Sequence, residues 1–471
     1  MNHTLPSPLF PLPGEEDSLN KFSLNMNPIT IFKQIHLSNL FFQVLAGVAL
    51  TFLVGYFVPP VGAVGEIFFF GFVILFGVDL ILLFSKKEPL SGKRMVPKRL
   101  SNGDENTIRL QISNNYDLGI EAEIIDEIPH QFQLRDFSIT DKFEARAEKE
   151  FTYDLRPTER GEYDFGNINV FVHTKIGFVR RKISIPAQQM VPVYPSFIQM
   201  RKFEMYAISN RLTDVGIKKI RRVGHTMEFD QIKEYVRGDD VRSINWKATA
   251  RTNDLMVNQY QDERSQNVIN VIDMGRVMKM PFEGLHLLDY AINTSLVISN
   301  IALIKDDKAG LVTFSNKDSV VVKPEKKRTH IQRIQEALYK LNTNFLESDY
   351  ERLVVSLRKH VNQRSLVLLY TNFETFSAME RQLPYLQRIA KDHLLVTIFF
   401  ENTEMTKLLH EESETIGQIY TKTIAEKFTF EKKQIVKALN QRGIQTIFTP
   451  PKELSVNAIN KYLELKARGL I

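Results

Sequence analysis

Two long apolar runs stand out in the N-terminal part of the chain, from Leu37 to Val58 and from Gly62 to Phe84. Each run is long enough to cross a hydrocarbon core of about 30 Å as a helix. Pro59 and Pro60 fall between the runs, where a tight turn tolerates proline. The pattern predicts a two-helix transmembrane hairpin over residues 37–84, held in a lipid bilayer.

The charges around this hairpin predict its orientation. Glu66 and Asp79 lie near the ends of the second run, where we expect a carboxylate to reach water. The turn between the runs has no cation, whereas cations flank the other ends: Lys33, Lys86, Lys87, Lys93, Arg94, Lys98 and Arg99. Because cationic flanks stay in the cytoplasm, both termini are predicted to be cytoplasmic. Residues 1–36, which include a proline-rich stretch, are predicted to form a flexible tail.

Short β-rich runs replace the long apolar runs over residues 97–195. Clusters of Asn, Asp, Gly and Pro separate them, and the clearest runs are Thr107–Ser113, Ile120–Ile125, Phe151–Leu155, Ile168–His173 and Val179–Ile185. Short strands at regular spacing are typical of an all-β antiparallel sandwich. Arg160 and Gly161 begin a segment that we interpret as a hairpin corner.

Strand and helix patterns alternate in the C-terminal part, over residues 263–471, after a connecting segment at 196–262. Apolar runs such as Val268–Ile272 and Leu366–Tyr370 are followed by helical patterns such as Ala378–Lys391. Continuous apolar strands that alternate with helices indicate an α/β, Rossmann-like domain with a mostly parallel sheet. The fold class is therefore multidomain: a membrane hairpin, a β-sandwich and an α/β domain.

Composition excludes several classes of function. The 471 residues include no cysteine, which rules out disulfides, thiolate metal sites and cysteine nucleophiles. The net charge of +6 comes without a basic block that contains interleaved aromatic residues, so nucleic acid is not an expected partner. The chain also lacks the spacing of phosphate-binding loops, of the HExxH zinc motif and of the GxSxG nucleophile elbow.

The ends of the predicted parallel strands are the first place to look for a ligand site. Asp273, Thr371 and Asn372 follow two such strands and carry oxygen atoms suited to a hard divalent cation. Arg276 opposes a cation there, because like charges repel. We therefore favour an Asp273 that anchors its loop, and keep metal binding as the alternative.

Residues 235–252 form the densest cluster of potential chemistry in the chain. A glycine-aspartate turn precedes a helix-compatible run that contains the chain's only tryptophan. The residues that we single out are Gly238, Asp239, Asp240, Arg242, Trp246, Lys247 and Arg251. We predict that Asp239 or Asp240 caps a short helix, that Arg242 and Arg251 pair with acids, and that Trp246 packs at the domain junction. If Trp246 is fully exposed and those arginines are unpaired, the segment is instead a docking surface.

The same segment carries a resemblance to a known family. Gly224, Glu228–Asp230 and Glu234–Arg251 closely resemble the signature of a bacterial family called domain of unknown function 58. The resemblance implies that the α/β domain is similar to von Willebrand factor type A domains. It also implies a MoxR-type AAA+ ATPase as partner, in the maturation or remodelling of other proteins.

Type A domains often bind a metal through an Asp-x-Ser-x-Ser motif, a distant threonine and a second aspartate. In this chain Asp273 matches the first aspartate, but Gly275 and Val277 replace the serines. Asn372 stands where we place the second aspartate, and Asn245 stands where an aspartate is frequent in the family. The metal site is therefore predicted to be degenerate, with no catalytic residue and no cofactor; a bound Mg²⁺ is the alternative.

These observations predict a non-enzymatic adaptor or interaction protein in the bacterial inner membrane. Its expected partners are the ATPase, client proteins and the lipid bilayer. Two alternatives stay open: a metal-dependent ligand-binding protein or hydrolase centred on Asp273 and Asp239, and a structural envelope protein.

Overall fold

The computed structural model describes residues 34–208, 216, 227–262, 265–317, 319–343, 346–410 and 415–470. The predicted tail up to residue 33 and Gly224 of the signature lie outside the described residues.

The two apolar runs form adjacent helices, α1 (Asn39–Phe57) and α2 (Pro59–Phe84). The second helix begins at Pro59 and not at Gly62, because proline fits the first turn of a helix, where the N–H groups have no intrahelical partner. The helices come very close at their connected ends: a Cβ atom on Gly55 would lie 2.5 Å from the Cα atom of Gly62. Glycine at position 55 permits this approach.

The predicted β domain consists of sheets packed face to face. Its strands are β1 (Ile35–Leu37), β2 (Leu90–Met95), β3 (Leu100–Ser101), β4 (Asn106–Asn114), β5 (Ile120–Asp126), β6 (Ile139–Phe143), β7 (Glu148–Leu155), β8 (Gly161–Phe165), β9 (Ile168–His173), β10 (Val179–Ile185) and β11 (Gln189–Tyr194). They form the sheets β1-β10-β9-β5-β6, β2-β4-β7 and β3-β11-β8. Neighbouring strands are antiparallel, except that β3 and β11 are parallel. Ile112 of β4 and Val172 of β9 share one core, which joins two of the sheets as in a sandwich.

Asp79 joins the second apolar helix to the β domain. Its carboxylate is fully buried and accepts hydrogen bonds from the backbone N–H groups of Phe178 and Val179, both at 2.9 Å, and from the Thr174 hydroxyl. The expectation that Asp79 reaches water is therefore wrong. The turn between β9 and β10 supplies the donors that water would otherwise provide.

The end of the same helix is held by a buried arginine. Arg181 donates to the backbone oxygen atoms of Leu83, at 2.7 Å, and Lys86, at 3.0 Å. Tyr116 donates a further hydrogen bond of 2.6 Å to the Leu83 oxygen. Carbonyl groups at a helix end lack intrahelical donors, so these side chains complete the end of α2 inside the β domain.

The α/β domain is built on a sheet in the order β18-β17-β14-β19-β20-β21. Its strands are β14 (Asn267–Asp273), β17 (Lys308–Phe314), β18 (Val321–Glu325), β19 (Leu366–Tyr370), β20 (Leu394–Phe400) and β21 (Gln445–Thr449), with β15 (Pro281–Phe282) and β16 (Leu285–His286) as a separate small pair. All pairs in the large sheet are parallel except β17 with β18. Val268 faces one apolar core and Ile269 faces the other, as expected for a sheet covered on both faces.

Helices cover both faces of this sheet. They are α3 (Phe197–Ile208), α5 (Leu287–Ile304), α6 (His330–Tyr339) and α11 (Leu454–Ala467) on one face, and α7 (Tyr350–His360), α8 (Phe376–Asp392) and α10 (Ile416–Gln441) on the other, with α9 (Thr403–His410) beside α10. In the described part of the chain, α1, α2 and α5 are long and apolar enough to cross a membrane. However, α5 is buried inside the α/β domain, so its apolar residues are core residues.

The signature lies outside this sheet. Strand β12 (Met227–Glu234) pairs with β13 (Met256–Asp262) in an antiparallel two-stranded ribbon, and α4 (Trp246–Thr252) lies in the segment between them. The sequence of Leu255–Gln261 predicts a strand, and this strand belongs to the ribbon and not to the parallel sheet.

Candidate functional site

Asp273 lies at the carboxyl end of β14, where the order of connection across the sheet reverses. The chain passes from β14 to β17 on one side, whereas β19 lies on the other side. Ligands of open α/β sheets bind at such switch points. Asp273 is buried, and burial raises the pKa of its carboxyl group, although nearby hydrogen bonds lower it.

Both carboxylate oxygen atoms of Asp273 are already hydrogen-bonded. Oδ1 accepts from the Gly275 N–H at 2.8 Å and from the Ser348 hydroxyl. Oδ2 accepts from the Thr371 hydroxyl at 2.6 Å and from the Tyr350 hydroxyl at 3.4 Å. These donors fix three loops around one carboxylate, and they occupy the positions that metal bonds would need.

Ser348 is a member of this site that the sequence did not reveal. It lies in the loop before α7, next to Asp349, whose side chain caps that helix. A Cβ atom on Gly275 would lie 2.4 Å from the Ser348 hydroxyl oxygen. Glycine at 275 therefore makes room for Ser348, which explains in physical terms why this position holds no serine.

Asn372, at the predicted place of the second aspartate, contacts a lysine. Lys432 of α10 donates a 2.8 Å hydrogen bond to Asn372 Oδ1 and another to the backbone oxygen of Phe373. Burial lowers the pKa of Lys432 to about 8, against the opposite influence of Glu374. Within the described residues, no group of three or more His, Cys, Asp or Glu residues is placed to hold a metal ion.

The signature segment is organised by its aspartates and by Asn245. Asp240 caps the short 3₁₀ helix Val241–Ser243 and accepts from the Arg242 N–H at 3.0 Å, which confirms the predicted cap. Asp239 accepts from the Val236 N–H at 3.0 Å and from Lys233 at 3.1 Å, and these bonds lower its pKa. Asn245 caps α4 through the Ala248 N–H, at 3.0 Å.

Trp246 does not pack at the domain junction, and that prediction is wrong. Its side chain is 70% exposed, on a ribbon that is paired to no further strand in the described part of the chain. Among the side chains that the structure describes, Asp239 pairs with Lys233, and neither Arg242 nor Arg251 forms the predicted ion pair. Lys247 and Arg251 are exposed beside Trp246. The segment therefore presents an aromatic ring and several cations to solvent.

The junction is built by other residues. Arg160 of the β domain forms an ion pair with Asp289 of α5, and it donates a 2.7 Å hydrogen bond to the Leu341 oxygen. Nearby, the rings of Tyr194 and Tyr339 stack with centroids 4.5 Å apart. The predicted hairpin corner at this segment is wrong, because Gly161–Phe165 forms β8, which pairs with β11. Arg160, just before this strand, is a contact between the domains.

Comparison with known proteins places part of this architecture in a family. The sequence model described as "Protein of unknown function DUF58" matches residues 231–409. The chain carries a DUF58 domain. The matched range contains the Glu234–Arg251 part of the signature, Asp273 and Ser348, whereas Gly224, Glu228–Asp230 and Lys432 lie outside it.

A curated relative has no assigned function. The chain is 23% identical over 124 residues to "Uncharacterized protein YeaD" of Bacillus subtilis, a match that covers 26% of the chain and 30% of the relative. The chain thus spans less than a third of the length of that relative.

Two solved structures are each similar to about a fifth of the chain. The CARDB domain of a Pyrococcus furiosus protein, described in complex with di-metal ions, is 17% identical with a TM-score of 0.17, over 22% of this chain and 86% of that one. The C-terminal domain of wzt is 9% identical with a TM-score of 0.17, over 23% of this chain and 75% of that one.

Proposed function

We propose that this DUF58 protein is a non-enzymatic, membrane-anchored adaptor that works with a MoxR-type AAA+ ATPase in the maturation or remodelling of other proteins. The exposed signature segment is the observation that carries the proposal. Trp246, Val241 and Val236 are 70%, 65% and 63% exposed in the segment that connects β12 to β13. Large exposed apolar residues beside arginine are characteristic of binding surfaces, where aromatic and arginine side chains contribute most of the energy.

The chemistry of this surface defines what the partner must offer. Arg242, Lys247 and Arg251 add positive charge around Trp246. A partner surface with an apolar pocket for the indole ring and a rim of carboxylates is complementary to this arrangement. The partner class itself comes from the resemblance of the signature to proteins associated with MoxR-type ATPases.

Membrane anchoring is supported by the lengths of the helices. With a rise of about 1.5 Å per residue, the 26 residues of α2 extend about 39 Å. This length exceeds the hydrocarbon core of about 30 Å. The C-terminal part of α2, from Phe72 onward, also contacts the β domain. We propose that α1 and α2 cross the bacterial inner membrane and that the β domain lies directly on the cytoplasmic face, with both termini in the cytoplasm.

The α/β domain is proposed to be of the von Willebrand factor type A kind. Numbered within the domain, its sheet has the order 3-2-1-4-5-6, with strand 3 antiparallel at the edge. We further propose that it binds partners without a metal ion, because the Asp273 carboxylate is bonded to protein donors and Lys432 supplies a cation beside Asn372.

Copurification tests the adaptor proposal. The tagged full chain is crosslinked in native bacterial membranes, and coisolated proteins are identified by mass spectrometry. We expect an AAA+ ATPase with the wild type and at least a tenfold loss with the double variant Trp246→Ala, Arg242→Glu. Val355→Ala is the matched control, because Val355 is 61% exposed on α7, away from the ribbon. Recovery of no AAA+ ATPase with the wild type would refute the named partner, and full recovery with the double variant would refute the docking surface.

A further inference from the structure

A cavity of about 330 Å³ opens at the carboxyl edge of the parallel sheet, beside the Asp273 site. Its lining is mostly apolar and includes Phe400, Met405, Phe428 and Phe448, from the ends of β20 and β21 and from α9 and α10. Asn372 lines both this cavity and the smaller one around Asp273. Size, apolar lining and position at the end of the strands are those of a small-molecule site.

Lys432 is the cation in the wall of this cavity. Its ammonium group donates to Asn372 Oδ1 and to the Phe373 oxygen, and an ammonium group has three N–H donors. The described residues provide no acceptor for the third donor. A charge in apolar surroundings is stabilised by an opposite charge or by a further acceptor.

The remaining charges limit which anion fits. Glu374 and Glu401 also line the cavity, with Glu374 exposed at its edge. Two carboxylates repel a polyvalent anion such as phosphate more strongly than a monovalent one. Among anions, this lining therefore accepts only one with a single negative charge, held at Lys432 and carried on an apolar body.

We propose that this cavity binds an apolar monocarboxylate, with the carboxylate on Lys432 and the apolar body between Phe400, Phe428 and Phe448. The carboxylate accepts the third N–H of Lys432. The apolar body removes aromatic surface from water. The same chemistry is present in a free organic acid and in the C-terminal residue of a protein chain that ends in an aromatic or aliphatic side chain.

Titration calorimetry on the full chain in lipid nanodiscs tests the proposal, with empty nanodiscs as the blank. The probes are 4-phenylbutyrate and the uncharged 4-phenylbutanol. We expect the wild type to bind the acid at least tenfold more tightly than the alcohol, and Lys432→Met to remove this preference. Lys433→Met is the matched control, because this neighbouring lysine is exposed and does not line the cavity.

A second variant tests the cavity without changing its charge. Met405→Trp fills the space beside Phe428, so it should abolish binding of the acid while the thermal unfolding midpoint of the protein stays near that of the wild type. No binding of 4-phenylbutyrate to the wild type, or equal binding of acid and alcohol, would overturn the proposal.

Peptides distinguish the two sources of the carboxylate. A short peptide that ends in phenylalanine is compared with the same peptide amidated at its C-terminus. Tighter binding of the free-carboxylate peptide than of 4-phenylbutyrate supports the end of a protein chain as the ligand. Binding of 4-phenylbutyrate alone supports a free acid. These experiments measure ligand binding, whereas the copurification experiment measures recovery of an ATPase. The ligand inference can therefore fail while the adaptor proposal stands.

Discussion

The guanidinium group of Arg160 forms an ion pair with the carboxylate of Asp289, and both side chains are more than nine-tenths buried. Arg160 belongs to the β domain and Asp289 to the first turn of α5 in the α/β domain. Asp289 also accepts hydrogen bonds from the His286 N–H, at 3.1 Å, and from Asn102, at 3.2 Å. The pair therefore joins the two domains and holds the start of α5.

Breaking this pair should loosen the junction. Arg160→Ala leaves a buried carboxylate without its cation, which costs about 3–5 kcal/mol when a buried pair is broken on one side. We expect faster hydrogen exchange at the first turn of α5, measured by mass spectrometry on the full chain in nanodiscs. Arg109→Ala is the control, because Arg109 is exposed in a surface pair with Glu150. Equal exchange in both variants would show that the pair does not stabilise the junction.

The hydrogen bonds of Asp79 predict a second measurable effect. Asp79→Ala removes the acceptor of the Phe178 and Val179 N–H groups, and each buried donor left without a partner costs about 1–3 kcal/mol. We expect faster exchange of these two amides and a lower unfolding temperature. Glu66→Gln changes the other acid of the same helix at an exposed position and should leave both quantities unchanged. Unchanged exchange in Asp79→Ala would mean that the turn keeps its structure without the carboxylate.

Features that depend on local pattern could be predicted from the sequence. The length of the apolar runs, the alternation within β4 and the continuous apolar run of β19 each reflect one element and its burial. The order of the domains follows from these elements. The Asp240 cap could also be predicted, because its donor lies two residues away.

Contacts between distant parts of the chain could not be predicted in this way. Ser348 and Lys432 reach the loops of Asp273 and Asn372 only through the packing of the sheet and α10. The hydropathy of the sequence shows that Asp79 is an acid near the end of an apolar helix. It does not show that the backbone N–H of Phe178, about a hundred residues later, donates to this acid. The sequence predicts that Trp246 packs at the domain junction, whereas in the structure its segment lies on a ribbon that is paired to no larger sheet among the described residues, and the ring is exposed.

The carboxylate of Asp273 should stabilise the α/β domain without a metal ion. Asp273→Ala leaves the donors of Gly275, Ser348 and Thr371 without their acceptor, so we expect a loss of at least about 3 kcal/mol. Thermal unfolding of the full chain with and without Mg²⁺ measures this effect. Glu347→Ala is the control in the same cavity, at a residue that is 71% exposed. A metal site would instead be indicated if Mg²⁺ raised the thermal unfolding midpoint of the wild type and Asp273→Ala abolished this rise.

Lys432 should titrate near neutral pH. Burial lowers its pKa from 10.5 to about 8 in the folded protein, so the unfolded chain binds more protons between these values. The contribution of Lys432 to folding stability therefore rises with pH across that window. The neutral amine is also the reactive form, and we expect the rate of labelling of Lys432 by acetic anhydride to rise with a midpoint near pH 8. Exposed Lys433, followed in the same digest by mass spectrometry, should show the higher midpoint of an ordinary lysine. If both lysines gave the same midpoint, the ammonium group of Lys432 would be solvated, and the cavity beside it would be open to bulk water.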